Sequence, residues 1–268
     1  AAGFVSINTV QRADPIFAQN TDATDTTFLN VLANQYASIG GGGSIYVGST
    51  TAGYPIVPID RILKAINANG RNTFGGATVT VIGAAAQASN LDPSRLSRYI
   101  IDTTTGFGVL ADQSGGAATN PSYNVGDLMQ ITGTVLEYNG LCEFTPLTGT
   151  TSENLGASGY TFTTTALTAA QLNVYDQYRY AGGELYEGRF ISLSNVTVLS
   201  EVTVASGSDA NISVTDPSGD TTVIRIDKDA AGDDYLATLN GGVITVGSTI
   251  DQVRGIATQY DSSDPRSS

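Results

Sequence analysis

VGDLMQITGTVLEYNGLCEFTPL, residues 125–147, has the pattern of a β-hairpin. Two sets of side chains alternate from residue 128 to residue 135, as in a strand with one buried face. Asn139-Gly140 then predicts a type I′ turn, whose two central residues both need positive φ. Gly133 has no side chain to pack, so we expect a bulge or a sharp bend in mid-strand. These features together predict the curved sheet of a small barrel.

A similar set of residues recurs near the end of the chain. The shared residues are a Val-Gly pair, a later glycine and a tyrosine: Val125-Gly126, Gly133 and Tyr138 first, then Val246-Gly247, Gly255 and Tyr260. The spacing from glycine to tyrosine is identical, and the spacing from Val-Gly to the later glycine differs by one residue. We interpret this recurrence as a duplicated module.

The patterns VGD, TGTV and EYNGL within residues 125–141 resemble the closing hairpin of a known group of domains. These are the OB-fold domains of secreted bacterial surface proteins and of regions beside extracellular nuclease domains. Residues 167–173, LTAAQLN, and 185–191, LYEGRFI, are similar to the connector and the entry strand of that family. The resemblance covers about residue 54 to the C-terminus, and it implies architecture more than activity.

We therefore predict a mainly β protein with two tandem OB-like five-stranded barrels and an N-terminal strand and helix. A length of 268 residues suits this count, because domains usually contain about 100 to 150 residues. The predicted divisions are an N-terminal arm and helix at 1–53, OB-like domain 1 at 54–150, a connector with a short helix at 151–181, and OB-like domain 2 at 182–268.

The individual elements follow from alternation, caps and turn residues. Helices are predicted at residues 22–40, 58–69 (ending at Gly70) and 169–180 (capped by Thr168). Strands of the first domain are predicted at 77–82, 98–102 and 108–111, before the hairpin, with an extra strand around 160–164. Strands of the second domain are predicted at 188–199, 211–215, 221–226 and 249–259, with a turn at 216–219.

Composition restricts the partners and the compartment. The chain has 12 Lys and Arg against 25 Asp and Glu, a formal net charge of -13, so we expect no binding to nucleic acid phosphates. No apolar run approaches the ~20 residues that span a bilayer. The sequence begins at Ala1 without a basic, apolar leader, which suggests a secreted, extracellular or cell-surface product after signal removal. Cys142 is the single cysteine, and we interpret it as a buried apolar residue.

Catalytic chemistry is restricted by the absence of histidine from the sequence. Histidine is the usual general base and the commonest metal ligand, so we expect a protein without enzymatic activity. Carboxylates remain as candidates for acid and base, and we interpret them as solvated: Glu137, Glu143, Glu153, Glu184, Glu187 and Glu201. The aromatic residues that could stack on bases we interpret as core or ordinary surface: Tyr99, Phe107, Tyr123 and Tyr138.

One acidic turn is a candidate calcium site. Asp227, Asp229, Asp233 and Asp234 surround Gly232 and supply the hard oxygen ligands that Ca²⁺ prefers. Their spacing does not match an EF-hand, so a solvated loop remains the alternative.

The function prediction combines two features: a predicted N-terminal strand that has no assigned partner, and a second barrel for which no fifth strand is predicted. Residues 3–10 have strand character, and after Tyr260 the chain is too polar for a fifth strand of the second barrel. We expect the assembly strand residues Phe4, Val5, Ile7 and Val10 to complete an acceptor edge at Thr249, Val253, Ile256 and Tyr260. The predicted protein is a secreted structural polymer of identical subunits, forming a filament or surface array. The alternative is an accessory binding module for nucleic acid or glycan.

Overall fold

The computed structural model describes residues 54, 56–67, 71–87, 90–92, 95–113, 123–147, 152–175, 183–203, 209–227 and 243–260. The predicted N-terminal strand and the helix at 22–40 lie outside the described residues. The fold is mainly β, as predicted, and its helices are few and short. None of the helices in the described ranges is long and apolar enough to cross a membrane.

A closed barrel forms the first module. Its five strands are β1 (Thr78–Ala85), β2 (Ser97–Ile101), β3 (Gly108–Asp112), β4 (Asp127–Tyr138) and β5 (Leu141–Pro146). The strands neighbour one another in the order β1-β2-β3-β5-β4, and β4 pairs with β1 to close the barrel. Every pair is antiparallel except β3 with β5, which is parallel. All five strands lie where the alternation pattern predicts them.

The hairpin of β4 and β5 turns at Asn139 and Gly140, whose φ angles are 49° and 84°. Both angles are positive, as a type I′ turn requires. The predicted bulge at Gly133 is wrong, since its pairing continues in register with Val79 of β1 and Pro146 of β5. A register shift lies instead at Leu128/Met129, where β4 pairs with a sixth strand, β6 (Glu153–Ala157).

The helix α1 (Ile59–Lys64) contributes to the barrel core. It buries Ile59, Ile62 and Leu63 beside the barrel strands. The predicted helix at 58–69 is longer than the observed helix, which ends at Lys64. Asn72 explains the early end, because its side-chain amide donates to the carbonyl oxygen of Ile62 at 2.9 Å and so ties the returning chain to the helix. Phe144 of β5 lies fully buried in the same core.

A second sheet contains the predicted strands of the second module; the first and the last are shorter than predicted, and the two between them agree to within one residue. Its strands are β7 (Thr165–Ala166), β8 (Phe190–Val198), β10 (Ala210–Thr215), β11 (Thr221–Ile226) and β13 (Thr249–Ile256). The order is β11-β10-β8-β13, with β7 parallel to β8. A separate pair contains β9 (Val202–Thr203) and β12 (Val243–Ile244). Within the described ranges this sheet is open between β11 and β13, so a second closed barrel is not seen.

Short segments between the two sheets differ from the predictions. Residues 160–164 form no strand; the strands β6 and β7 lie on either side of them. The helix α2 (Ala169–Leu172) covers only the start of the predicted 169–180, and residues 176–182 lie outside the description. Its predicted cap is confirmed: the Thr168 hydroxyl accepts from the backbone N–H of Gln171, in a full capping box. A 3₁₀ turn, Gly183–Tyr186, then leads into β8.

Candidate functional site: an open edge of the second sheet

The two sheets share one strand arrangement. In the second sheet β8 pairs antiparallel with both β10 and β13, and β10 pairs with β11. In the barrel β1 pairs in the same way with β2 and β4, and β2 pairs with β3. The Val-Gly turns before β4 and β13 also agree, with φ of 87° at Gly126 and 81° at Gly247. The second sheet thus has counterparts of β1 to β4, and the described residues contain no counterpart of β5.

The strand β13 is consequently an edge. One side pairs with β8 from residue 249 to residue 256, and no described strand pairs with the other side. Burial agrees with this position. Ile131 and Val135 of β4 are each 1 % exposed. Their counterparts, counted from the shared glycine, are Val253 and Ala257, and both are only half-buried.

The two equivalent glycines have different surroundings. A Cβ on Gly133 would lie 2.4 Å from the backbone oxygen of Thr145 and 2.8 Å from the Phe144 ring, both in β5. No atom of the described residues lies within 4 Å of the corresponding position on Gly255. Among the described residues, nothing therefore occupies the space beside Gly255 that β5 fills beside Gly133.

The predicted acceptor residues all lie on or just after β13. Thr249 is exposed, and Val253 and Ile256 are half-buried. Val253 packs on the core of the second sheet, whereas Ile256 packs on the apolar cluster that joins the modules. Tyr260 is 77 % exposed and touches Tyr138 edge to face, with ring centroids 6.4 Å apart. The predicted donors Phe4, Val5, Ile7 and Val10 lie outside the described residues.

The end of the edge strand is fixed to the barrel. The hydroxyl of Tyr99 on β2 bonds to the hydroxyl of Thr258, just after β13, at 2.9 Å. Ile256 contributes to an apolar cluster with Tyr99, Leu110 and Leu141 on the outer face of the barrel. A guanidinium N–H of Arg189 in the second module also donates to the carbonyl of Thr105 in the barrel at 3.3 Å. We call this boundary between the two modules the seam. These contacts hold β13 in place, so the open edge is preorganised.

Several glutamates are buried at or near this seam, so their interpretation as solvated is wrong. Glu137, Glu184 and Glu187 are buried, Glu143 is half-buried, and Glu153 and Glu201 are exposed. The carboxylate of Glu187 accepts from the backbone N–H of Cys142 at 2.9 Å. This burial could not be predicted from the pattern of the strand, because it depends on the second module, which packs beside β5 at Leu141 and brings Glu187 to Cys142.

The ionisation of Glu143 responds to this environment. Burial raises the pKa of its carboxyl group to about 7, and the negative charges of Asp112 and Glu187 act in the same direction. The positive charge of Arg95 opposes them. Arg95 is itself paired with Asp112 at 3.1 Å. Glu143 therefore exchanges its proton near neutral pH while lying against the module seam.

The aromatic residues do not form a platform for stacked bases. Tyr99 and Phe107 are buried, which confirms their interpretation as core. The guanidinium of Arg98 lies 3.2 Å from the ring centroid of Tyr123, and burial lowers the pKa of Arg98 to about 10. Tyr138 is exposed, as an ordinary surface tyrosine is. Cys142 is buried, as predicted.

The candidate calcium turn is mostly beyond the description. Asp227 is described, whereas Asp229, Asp233 and Asp234 lie outside the described residues. Among the described residues, no group of three or more ligating side chains is arranged to hold a metal ion.

A polar cavity of about 370 Å³ lies beside the seam. It is formed by the loop between β2 and β3, the segment before β7, and the start of β8. Its polar lining consists of Thr103, Thr104, Thr105, Tyr160, Thr161, Thr163, Thr165 and Arg189. Searches against protein-family models and curated proteins find no match for this chain.

Proposed function

We propose that this protein is a secreted, non-enzymatic structural protein that assembles through β-strand edges into an extracellular filament or surface array. In this proposal the second module is an OB-like barrel whose fifth strand is supplied by the N-terminal strand of another copy. The observation that carries this proposal is the open side of β13, where Val253 and Ala257 stay half-buried although their barrel counterparts are fully buried.

An uncovered edge of this kind is costly. Unpaired backbone N–H and C=O groups along an edge strand form a template for another strand, and natural proteins usually cover or shorten such edges. Residues 3–10 suit the gap, since eight residues extend about 26 Å at ~3.3 Å per residue. That is enough to take the place of β5, which has six residues. Strand addition supplies affinity through main-chain bonds and specificity through alternate side chains.

The donor and the acceptor are different segments of the chain, residues 3–10 and β13. Contact between unlike surfaces is heterologous, and it produces a filament when the rotation between subunits does not close a ring. Each copy would give its N-terminal strand to one neighbour and receive a strand from another. This arrangement would account for both the edge strand β13, which has no second described neighbour, and the apolar strand predicted at residues 3–10.

Removal of the donor tests the proposal. A chain without residues 1–10 is expected to stay monomeric in analytical ultracentrifugation and to keep the β-rich circular dichroism of the full chain. The full chain is expected to form polymers that negative-stain microscopy resolves. If the truncated chain polymerises like the full chain, the proposal is wrong.

Two double variants give a matched comparison within the donor strand. Val5→Asp with Ile7→Asp places charge on one face of the strand, and Ser6→Asp with Asn8→Asp places equal charge on the other. We expect the first pair to abolish polymers and the second pair to retain them. Equal effects would show that added charge, and not the apolar face of the strand, controls assembly.

A second candidate function is an accessory binding module for a glycan, favoured by the cavity of about 370 Å³ beside the seam. Threonine hydroxyls and the Arg189 guanidinium offer hydrogen bonds to a polyhydroxylated ligand. A glycan array with the full chain tests it, with Arg189→Gln as the variant and Arg254→Gln, on the exposed face of β13, as the control. Loss of a signal only in Arg189→Gln supports binding there, and no signal on any glycan contradicts it.

A further inference from the structure

We infer that the incoming strand occupies the place of β5 in the second module, antiparallel to β13 and parallel to β11, with Phe4 beside Tyr260 and Thr9 beside Gly255. This inference rests on the proposed function for the identity of the donor, a second copy of this chain. Its direction and register come from the barrel of the same chain.

The direction follows from the shared topology. In the barrel β5 lies between β3 and β4, parallel to the former and antiparallel to the latter. The counterparts of those strands are β11 and β13, the two ends of the open sheet. A strand that closes this sheet as β5 closes the barrel must therefore run antiparallel to β13.

Gly255 indicates how closely the strand approaches. Its counterpart Gly133 is a glycine because the backbone of Thr145 and the ring of Phe144 occupy the space of a side chain. Gly255 has no positive φ and no described neighbour within 4 Å, so nothing within the described chain requires a glycine there. A donated strand that approaches β13 as closely as β5 approaches β4 would explain why a glycine occupies position 255.

The register follows from a match between two short sequences. The strand β5 reads Leu-Cys-Glu-Phe-Thr-Pro, and residues 4–9 read Phe-Val-Ser-Ile-Asn-Thr. Both have apolar residues at the first, second and fourth positions and polar residues at the third and fifth. In β5 the second and fourth, Cys142 and Phe144, point into the core. The match assigns Val5 and Ile7 to the core of the neighbouring module.

The barrel pairing then fixes the neighbours across the interface. Tyr138 pairs with Leu141, and Gly133 pairs with Pro146. Transfer to the second module places Phe4 beside Tyr260. The first residue of β5, Leu141, packs in the apolar cluster between the modules. Phe4 would extend that cluster near the Tyr138–Tyr260 contact.

The substitution Gly255→Ala in the full chain tests the close approach. The monomer should keep its melting temperature, because the added methyl group meets no described atom. Polymerisation should fail, or its critical concentration should rise about tenfold or more, because the methyl group meets the donated backbone. Unchanged assembly with Gly255→Ala would overturn this inference while leaving the proposed function intact.

Cysteine pairs test direction and register. Antiparallel pairing predicts disulfides between Phe4→Cys and Tyr260→Cys, and between Val10→Cys and Arg254→Cys, when singly substituted chains are mixed and oxidised. The crossed combinations, 4 with 254 and 10 with 260, should not form disulfides. Crossed products would overturn the direction yet support strand exchange between copies. In a further test both cysteines of a pair are placed in one chain, and the dilute protein is oxidised. Disulfides that form only within single chains would contradict strand exchange between copies. They would still support the register. The native Cys142 is buried and remains unchanged.

Discussion

Replacement of Glu143 by glutamine is expected to make the protein more stable at pH 8 and to change little at pH 4.5. Burial and the charges of Asp112 and Glu187 raise the pKa of Glu143 from 4.5 to about 7. Between these two values the folded chain binds more protons than the unfolded chain, so the free energy of unfolding falls as the pH rises through this window. Above pH 7 the loss stays constant. Glutamine cannot ionise, so the Glu143→Gln variant does not lose this stability as the pH rises.

The size of the effect follows from the same two pKa values. At 1.36 kcal/mol per pH unit, full ionisation of the folded chain would cost about 3 kcal/mol. The carboxyl group is partly exposed, and water screens its neighbours, so we expect half of that, about 1.5 kcal/mol. This is large compared with surface substitutions, which usually change stability by about 0.5 kcal/mol or less.

Urea denaturation of the two proteins at pH 4.5, 6 and 8 measures the effect. The difference in unfolding free energy between Glu143→Gln and the parent chain should grow over this range. Subtraction at each pH removes the contribution of every other titrating group. Glu153→Gln, on the exposed side of β6, is the control and should show no such trend. A difference for Glu143→Gln that is independent of pH would refute the reasoning.

Four further predictions concern other parts of the molecule. Gly133→Ala should destabilise the barrel by about 2–4 kcal/mol in urea denaturation, since its Cβ would lie 2.4 Å from a backbone oxygen. Asp216→Asn should lower stability at pH 7, and this effect should shrink as the solution is acidified: burial opposes ionisation of Asp216, but hydrogen bonds from Ser218 and Ala169 lower its pKa, so its contribution is lost as the pH falls through the pKa of the folded state. If the turn at 227–234 binds Ca²⁺, the melting temperature should rise with calcium and fall with chelator; identical curves favour a solvated loop. Single-stranded DNA should not bind in fluorescence anisotropy at physiological salt, and a micromolar complex weakened by Arg98→Ala would contradict this.

Local rules were sufficient for the five barrel strands and for the longer strands of the second sheet. Alternation and turn residues act over a few neighbours, so β4, β5 and the hairpin of β10 and β11 lie close to their predicted positions. Asn139-Gly140 needed only its own backbone preference to define the turn. The duplicated Val-Gly, glycine and tyrosine pattern also predicted that β13 would correspond to β4. It also led to the expectation that β13 is an edge strand, and among the described residues it is one.

Contacts between distant segments could not be predicted in this way. Glu143 lies on the outer face of β5, where a solvated side chain was expected. The second module packs beside this face, and Glu143 is half-buried there. The helix α1 ends early because Asn72, ten residues beyond Ile62, bonds to its carbonyl oxygen. Gly133 looked like a bulge because the sequence cannot show which backbone lies against it. Each miss has the same cause, a neighbour that is remote in sequence.

Residue-resolved hydrogen exchange tests the central claim most directly, namely that a strand from another copy completes the second module. The chain without residues 1–10 is mixed with a peptide of residues 1–10, and amide exchange is followed along β13 and β11. We predict that the peptide slows exchange at alternate amides of residues 253–259 and at the facing edge of β11, and that a peptide with Val5→Asp and Ile7→Asp does not. Unchanged exchange at both edges, or protection confined to the barrel, would contradict the account.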